Sequence, residues 1–107
     1  MKESFEVFVN SNDMPWEAAS EYAEGTRIKV LRDHEGRKTV LLDLPPKFRM
    51  LEHTHTCIEQ HFVLEGQYEM GDRKFGAGSY QMIPPGATHG PFTSETGALL
   101  LVIWDPA

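Results

Sequence analysis

The sequence of 107 residues predicts one all-β domain, either a sandwich or a closed barrel. Three observations lead there. Short apolar runs recur from Arg27 to Trp104. Turn signals containing Gly or Pro separate them at regular intervals. Only one short stretch carries the signals of a helix. Composition does not choose between sandwich and barrel.

The elements follow in chain order. Phe5-Glu6-Val7-Phe8-Val9 alternates in part and is rich in β-formers, a candidate edge strand, and Ser11-Asn12-Asp13 breaks it. Pro15 to Tyr22 fits a short helix, with Asp13 as its cap and Pro15 in the first turn. Arg27 to Leu31 alternates as a strand does, and Asp33 to Gly36 is a turn. Thr39 to Leu44 is an apolar strand ended by Pro45-Pro46. Phe48 to His55 is extended, and Glu59 to Leu64 is a strand stopped at Glu65-Gly66. Gln67 to Met70 and Arg73 to Phe75 flank a hairpin tip at Gly71-Asp72. Tyr80 to Ile83 runs into Pro84-Pro85-Gly86, and Ala98 to Trp104 is a long apolar closing strand.

Length fits a single domain over 1–107. Hydrophobic residues make up 40% and charged residues 24%, ordinary values for a globular chain. A formal charge of −6 argues against an electrostatic grip on nucleic acid or an anionic membrane. No apolar run approaches a membrane span. The start, Met1-Lys2-Glu3-Ser4, lacks the apolar stretch of a secretory leader. The one cysteine, Cys57, cannot form an internal disulfide and suits a reducing compartment. These features lead us to expect a cytoplasmic protein whose partner is a small molecule. The edge-strand candidate, exposed in a small barrel, adds the expectation of a homodimer.

The chemistry concentrates in His53-Thr54-His55. Side chains two apart on a strand point the same way, with Cβ atoms roughly 7 Å apart. Two imidazoles so placed can converge on one ion, each about 2.0–2.1 Å from it. Glu59 opens the next strand and can lean back toward the pair. His89 follows the rigid turn Pro84-Pro85-Gly86-Ala87-Thr88. Three imidazoles and a carboxylate suit one divalent ion: Fe, Zn, Ni, Mn or Co. Glu59 has a second reading, as the hydrogen-bond partner of a ligand histidine.

Other residues carry weaker signals. His61 shares the face of Glu59, as a general acid or base beside the metal or as a satisfied interior histidine. Arg49 would share the face of His53 on a regular strand and could hold a substrate carboxylate; a bulge would turn it outward. Cys57 reads as a small buried hydrophobe ahead of a ligand or redox thiol. His34 lies in the Asp33-His34-Glu35-Gly36 turn and reads as exposed.

His53-x-His55-x3-Glu59-x6-Gly66 resembles the first motif of the cupin superfamily, and Gly78-x5-Pro84-x-Gly86-x2-His89 resembles most of the second. Lys47 and Thr93 depart from the pattern, standing where Gly and Asn are usual; neither position is a metal ligand in it. The resemblance implies a double-stranded β-helix, or jelly-roll, barrel with the metal held by His53, His55, Glu59 and His89. Trp16 and Gly25-x3-Lys29-x-Leu31 are similar to the cupins of anti-sigma-factor sensors and acetylacetone-cleaving dioxygenases. The first group implies a zinc ion and a sensing role, the second Fe(II) and oxidative carbon–carbon cleavage. A metal-dependent enzyme acting on a diketone, enediol or phenol is the leading expectation. A non-catalytic zinc-binding or ligand-sensing module is the alternative.

Overall fold

The computed structural model describes residues 6–107. Nine strands form it: β1 (Glu17–Ala18), β2 (Arg27–His34), β3 (Arg37–Leu44), β4 (Phe48–Met50), β5 (Ile58–Met70), β6 (Arg73–Gly76), β7 (Tyr80–Ile83), β8 (Phe92–Ser94) and β9 (Ala98–Asp105). Every pairing is antiparallel, in the order β1-β2-β3-β9-β5-β8-β4, with β6 and β7 also paired to β5. The sheet curls on itself as the expected jelly-roll barrel. No helix among the described residues is long and apolar enough to cross a membrane.

β5 joins the two halves. Residues 58–66 lie between β9 and β7, and residues 67–70 pair with β6 and β8. The sequence suggests that this strand stops at Glu65-Gly66; instead it runs on through an irregularity between Val63 and Glu65. An extra residue there shifts the side-chain phase by one. Glu59, His61 and Val63 point inward before it, and Tyr68 points inward after it. Without that shift Tyr68 would face water.

The core follows the period of two. Val40, Leu42 and Leu44 of β3 and Ala98, Leu100 and Val102 of β9 face inward beside Phe48, Tyr68 and Phe92. β9 is also apolar on its outer face. Leu41, Leu101, Phe62 and Tyr80 stand side by side across β3, β9, β5 and β7.

The N-terminal region departs from expectation. No α-helix covers Pro15 to Tyr22; the only helical turn among the described residues is a 3-10 turn at Ser11–Asp13, capped by Asn10. Met14, which precedes Pro15, is extended (φ −104°, ψ 139°), as pre-proline residues favour. Glu17 and Ala18 pair with Ile28 and Arg27. Trp16 lies against Lys29 Nζ (4.6 Å) and the Arg27 guanidinium (4.9 Å), and Lys29 also donates to the Ser11 carbonyl at 2.6 Å. These contacts hold the segment flat on β2. Eight residues of helix would gain less alone. The edge strand expected at Phe5 to Val9 does not form over its described part, where Val7, Phe8 and Val9 are exposed outside any strand; Phe5 lies outside the described residues.

Two turn positions bear on the motifs. Lys47, where the family pattern has Gly, adopts φ 63°, the left-handed region that Gly enters without cost. Gly66 has φ 76°, and a Cβ there would lie 2.3 Å from the Gly97 carbonyl oxygen. Gly66→Ala is therefore expected to lower unfolding free energy by roughly 2–4 kcal/mol. Gly71→Ala, with open space at φ 63°, should cost about 1 kcal/mol. Urea unfolding of both variants checks the contrast.

Candidate metal centre

Two loops carry the imidazoles. His53 and His89 lie outside the strands but form an isolated antiparallel bridge, each amide donating to the other's carbonyl at 2.9 Å. The Gly86 amide donates to the His55 carbonyl at 2.8 Å, so the Pro84-Pro85-Gly86 turn is bonded to the His53–His55 segment. Gly90 (φ 98°) lets the second loop pass Glu52, whose Cα would lie 3.0 Å from an added Cβ.

The three rings cluster, with centroids 4.2 Å apart for His53–His89, 4.7 Å for His53–His55 and 4.9 Å for His55–His89. Among the described residues these three form the group able to hold a metal, with one donor atom from each, all within 4.8 Å of one another. Donors on one ion, each about 2.1 Å from it, lie at most about 4.2 Å apart. Small side-chain rotations close the difference.

Hydrogen bonding provides an independent test of fit. His53 Nδ1 is 3.0 Å from the Leu51 carbonyl, which leaves Nε2 as the free lone pair. Both ring nitrogens of His89 and Nε2 of His55 are buried without a hydrogen-bond partner among the described residues. Buried polar atoms normally find partners. His55 Nε2 is 2.7 Å from Glu59 Oε1 yet not aligned as a hydrogen bond. Two ligands at right angles on one ion would be about 3 Å apart. The donor set therefore fits a divalent ion.

Glu59 is buried (4% exposed) and linked to several partners. Oε1 accepts from the Trp104 indole N–H at 2.8 Å, and Oε2 lies against His61 Nε2. Burial alone would raise its pKa. The His61 hydrogen bond and charge, then Trp104 and His55, outweigh burial and hold the carboxyl down at about 2. His89 moves down too, to about 4, chiefly through burial.

His61 faces the interior as expected, and both nitrogens are engaged: Nδ1 lies 3.1 Å from the Tyr68 hydroxyl and Nε2 against Glu59. Tyr68 donates onward to Gln81 Oε1 at 2.6 Å. Arg49 does not reach the interior. It is exposed on the outer face, paired with Thr93, while its neighbours Phe48 and Met50 turn in. The period of two simply runs the other way in β4. Cys57 is half-buried outside the cluster, its thiol pushed up by burial and by Glu59. His34 is near Glu35 (3.7 Å) at the tip of the β2–β3 hairpin.

Sequence reasoning missed Trp104 as a Glu59 donor, and Tyr68 and Gln81 behind His61. The pairings Glu59↔Trp104 and His61↔Gln81 put them there, and strand order is needed to see either. It also missed Tyr22, which lines the interior cavity of about 30 Å³ together with His53, Glu59, His61 and His89.

A jelly-roll barrel with three histidines brought together by two bridged loops defines a metal-competent cupin. The chain belongs to the ChrR cupin-like domain family, whose model matches residues 4–106. A search of curated protein sequences finds no match. Similar solved structures include an RmlC-like cupin from Shewanella frigidimarina (21% identity, TM-score 0.81, covering 96% of this chain and 93% of that one). A chain in the complex of Rhodobacter sphaeroides SigE with the anti-sigma ChrR is 22% identical (TM-score 0.72, 90% of this chain, 51% of that one). An acetylacetone dioxygenase from Acinetobacter johnsonii is 18% identical (TM-score 0.83, 97% of this chain, 76% of that one). At these identities the structures share the fold.

The pKa directions set the acid response of the metal-free protein. His89 binds its proton more weakly folded than unfolded, so stability falls as pH drops from about 6.5 toward about 4. Glu59 repeats the loss between its ordinary value of 4.5 and about 2. Melting temperature of chelator-treated protein should decline from pH 6.5 downward; a flat profile from pH 7 to 4 would contradict the His89 assignment, and one flat from pH 4.5 to 2 the Glu59 assignment.

Proposed function

We propose that this domain holds one divalent transition-metal ion on His53, His55, His89 and Glu59. We further propose that the loaded domain is a dioxygenase-like enzyme for a small oxygen-rich substrate such as a diketone or phenol. One observation carries the reading: where three rings meet, buried imidazole nitrogens of His55 and His89 have no hydrogen-bond partner among the described residues. The fold shared with acetylacetone dioxygenases supports the substrate class. When bound, the ion would supply Lewis acidity and, if it is iron, access to dioxygen chemistry.

The chain's own residues have separate tasks. Leu51 fixes the tautomer of His53 through Nδ1. Trp104 aims Glu59 through Oε1. His61, between Glu59 and Tyr68, is placed to hold or pass a proton at Nε2. Leu42, Phe48, Phe92 and Leu100 keep bulk water from the same cavity.

The alternative is a non-catalytic zinc-binding or small-ligand-sensing module. The cavity of about 30 Å³ favours it, because that is about the space of one water. Any substrate must therefore be small, or must move the lining. Metal analysis of anaerobically purified protein, with oxygen uptake on a diketone and phenol panel, separates the readings. Iron with substrate-dependent uptake is expected; tight zinc without turnover would establish the sensor. His53→Ala and His89→Ala should each strip the metal, and full occupancy in both variants would refute the ligand assignment.

A further inference from the structure

Two tyrosines line the cavity, and only one of them is saturated. Tyr68 is in contact with His61 and donates to Gln81. The Tyr22 hydroxyl makes no hydrogen bond among the described residues, although its ring packs against the core. Tyrosine hydroxyls in such places usually find a partner. Tyr22 is not loosely placed. Its amide donates to the Ala19 carbonyl at 3.0 Å, Ala19 donates to Thr26 at 3.0 Å, and Thr26 to Ala23 at 3.1 Å. Ala19 and Thr26 are buried. A stitched loop thus holds Tyr22 against the cavity that His53, His89, His61 and Glu59 also line, with its hydroxyl unpaired among the described residues.

We infer that the Tyr22 hydroxyl is a substrate-contacting donor, reserved for a carbonyl or enolate oxygen of the small molecule that binds at the metal. This rests on the metal reading above. The phenol suits the task because burial, then the nearby Glu59 charge, keep it protonated at neutral pH. Such a donor also selects ligands, since one lacking the oxygen leaves the hydroxyl unpaired.

The test uses the full chain loaded with zinc, so that binding is read without turnover. Pentane-2,4-dione is titrated calorimetrically into wild type and Tyr22→Phe. Metal content should be equal, and the variant should bind the diketone about 10-fold more weakly. In metal-free protein Tyr22→Phe should melt no lower than wild type, because its hydroxyl has no partner to lose. Tyr68→Phe should melt lower. Equal diketone affinity, no diketone binding by loaded wild type, or a Tyr22→Phe protein that melts as low as Tyr68→Phe would overturn the role of Tyr22. Failure of wild type to take up any metal would instead overturn the metal reading.

Discussion

Glu59 is a carboxylate almost wholly removed from water, and an unpaired anion so placed would cost several kcal/mol. The interior of this barrel is arranged to meet that cost. Trp104 supplies a neutral donor to one oxygen, and His61 engages the other. His61 is in turn backed by Tyr68, and Tyr68 by Gln81. The network runs across β9, β5 and β7, so satisfying one anion ties three strands together. A half-satisfied network would be worse than an apolar core, which explains why it extends to a fourth side chain.

The same chain of partners depends on the irregularity in β5. Glu59 and His61 sit before it and Tyr68 after it, yet all three face inward. A regular strand cannot do this with an odd spacing between His61 and Tyr68. The extra residue that moves β5 from one half of the barrel to the other also brings the phenol under the imidazole. Gly66 enables that shift through its positive φ and its close approach to Gly97. Fold closure and polar satisfaction are thus consequences of one backbone feature.

Local pattern made much of this legible. Tyr80 to Ile83 and Ala98 to Trp104 alternate or run apolar between clear turns, and both are strands within one residue. The histidine spacings singled out His53, His55 and His89, which the fold brings together. What failed were inferences that need partners. Pro15 to Tyr22 has helical signals, but Trp16 gains more by lying on Arg27 and Lys29. Arg49 faces outward because β4 takes its phase from Phe48, which enters the core, and no periodicity over three residues reveals that. Trp104, Gln81 and Tyr22 reach the site through strand register and a loop, neither visible in a single sequence. Lys47 shows the converse. The residue breaks the family pattern while the backbone keeps the left-handed turn that the pattern's Gly serves.

The imidazoles are placed on loops rather than strands, and those loops are held rigid. His53 and His89 are locked by their reciprocal bridge, and His55 by Gly86. Such preorganisation has a cost in the metal-free protein, where neither ring nitrogen of His89 has a hydrogen-bond partner among the described residues and His55 Nε2 has only a misaligned contact with Glu59. Each buried, unpaired polar group costs about 1–3 kcal/mol. A metal that engages these rings removes part of that penalty as it binds, so its binding free energy and the folding free energy are coupled. The Tyr22 hydroxyl repeats the pattern on a smaller scale. Its donor has no partner among the described residues, and a ligand that carries an oxygen to the cavity would supply one.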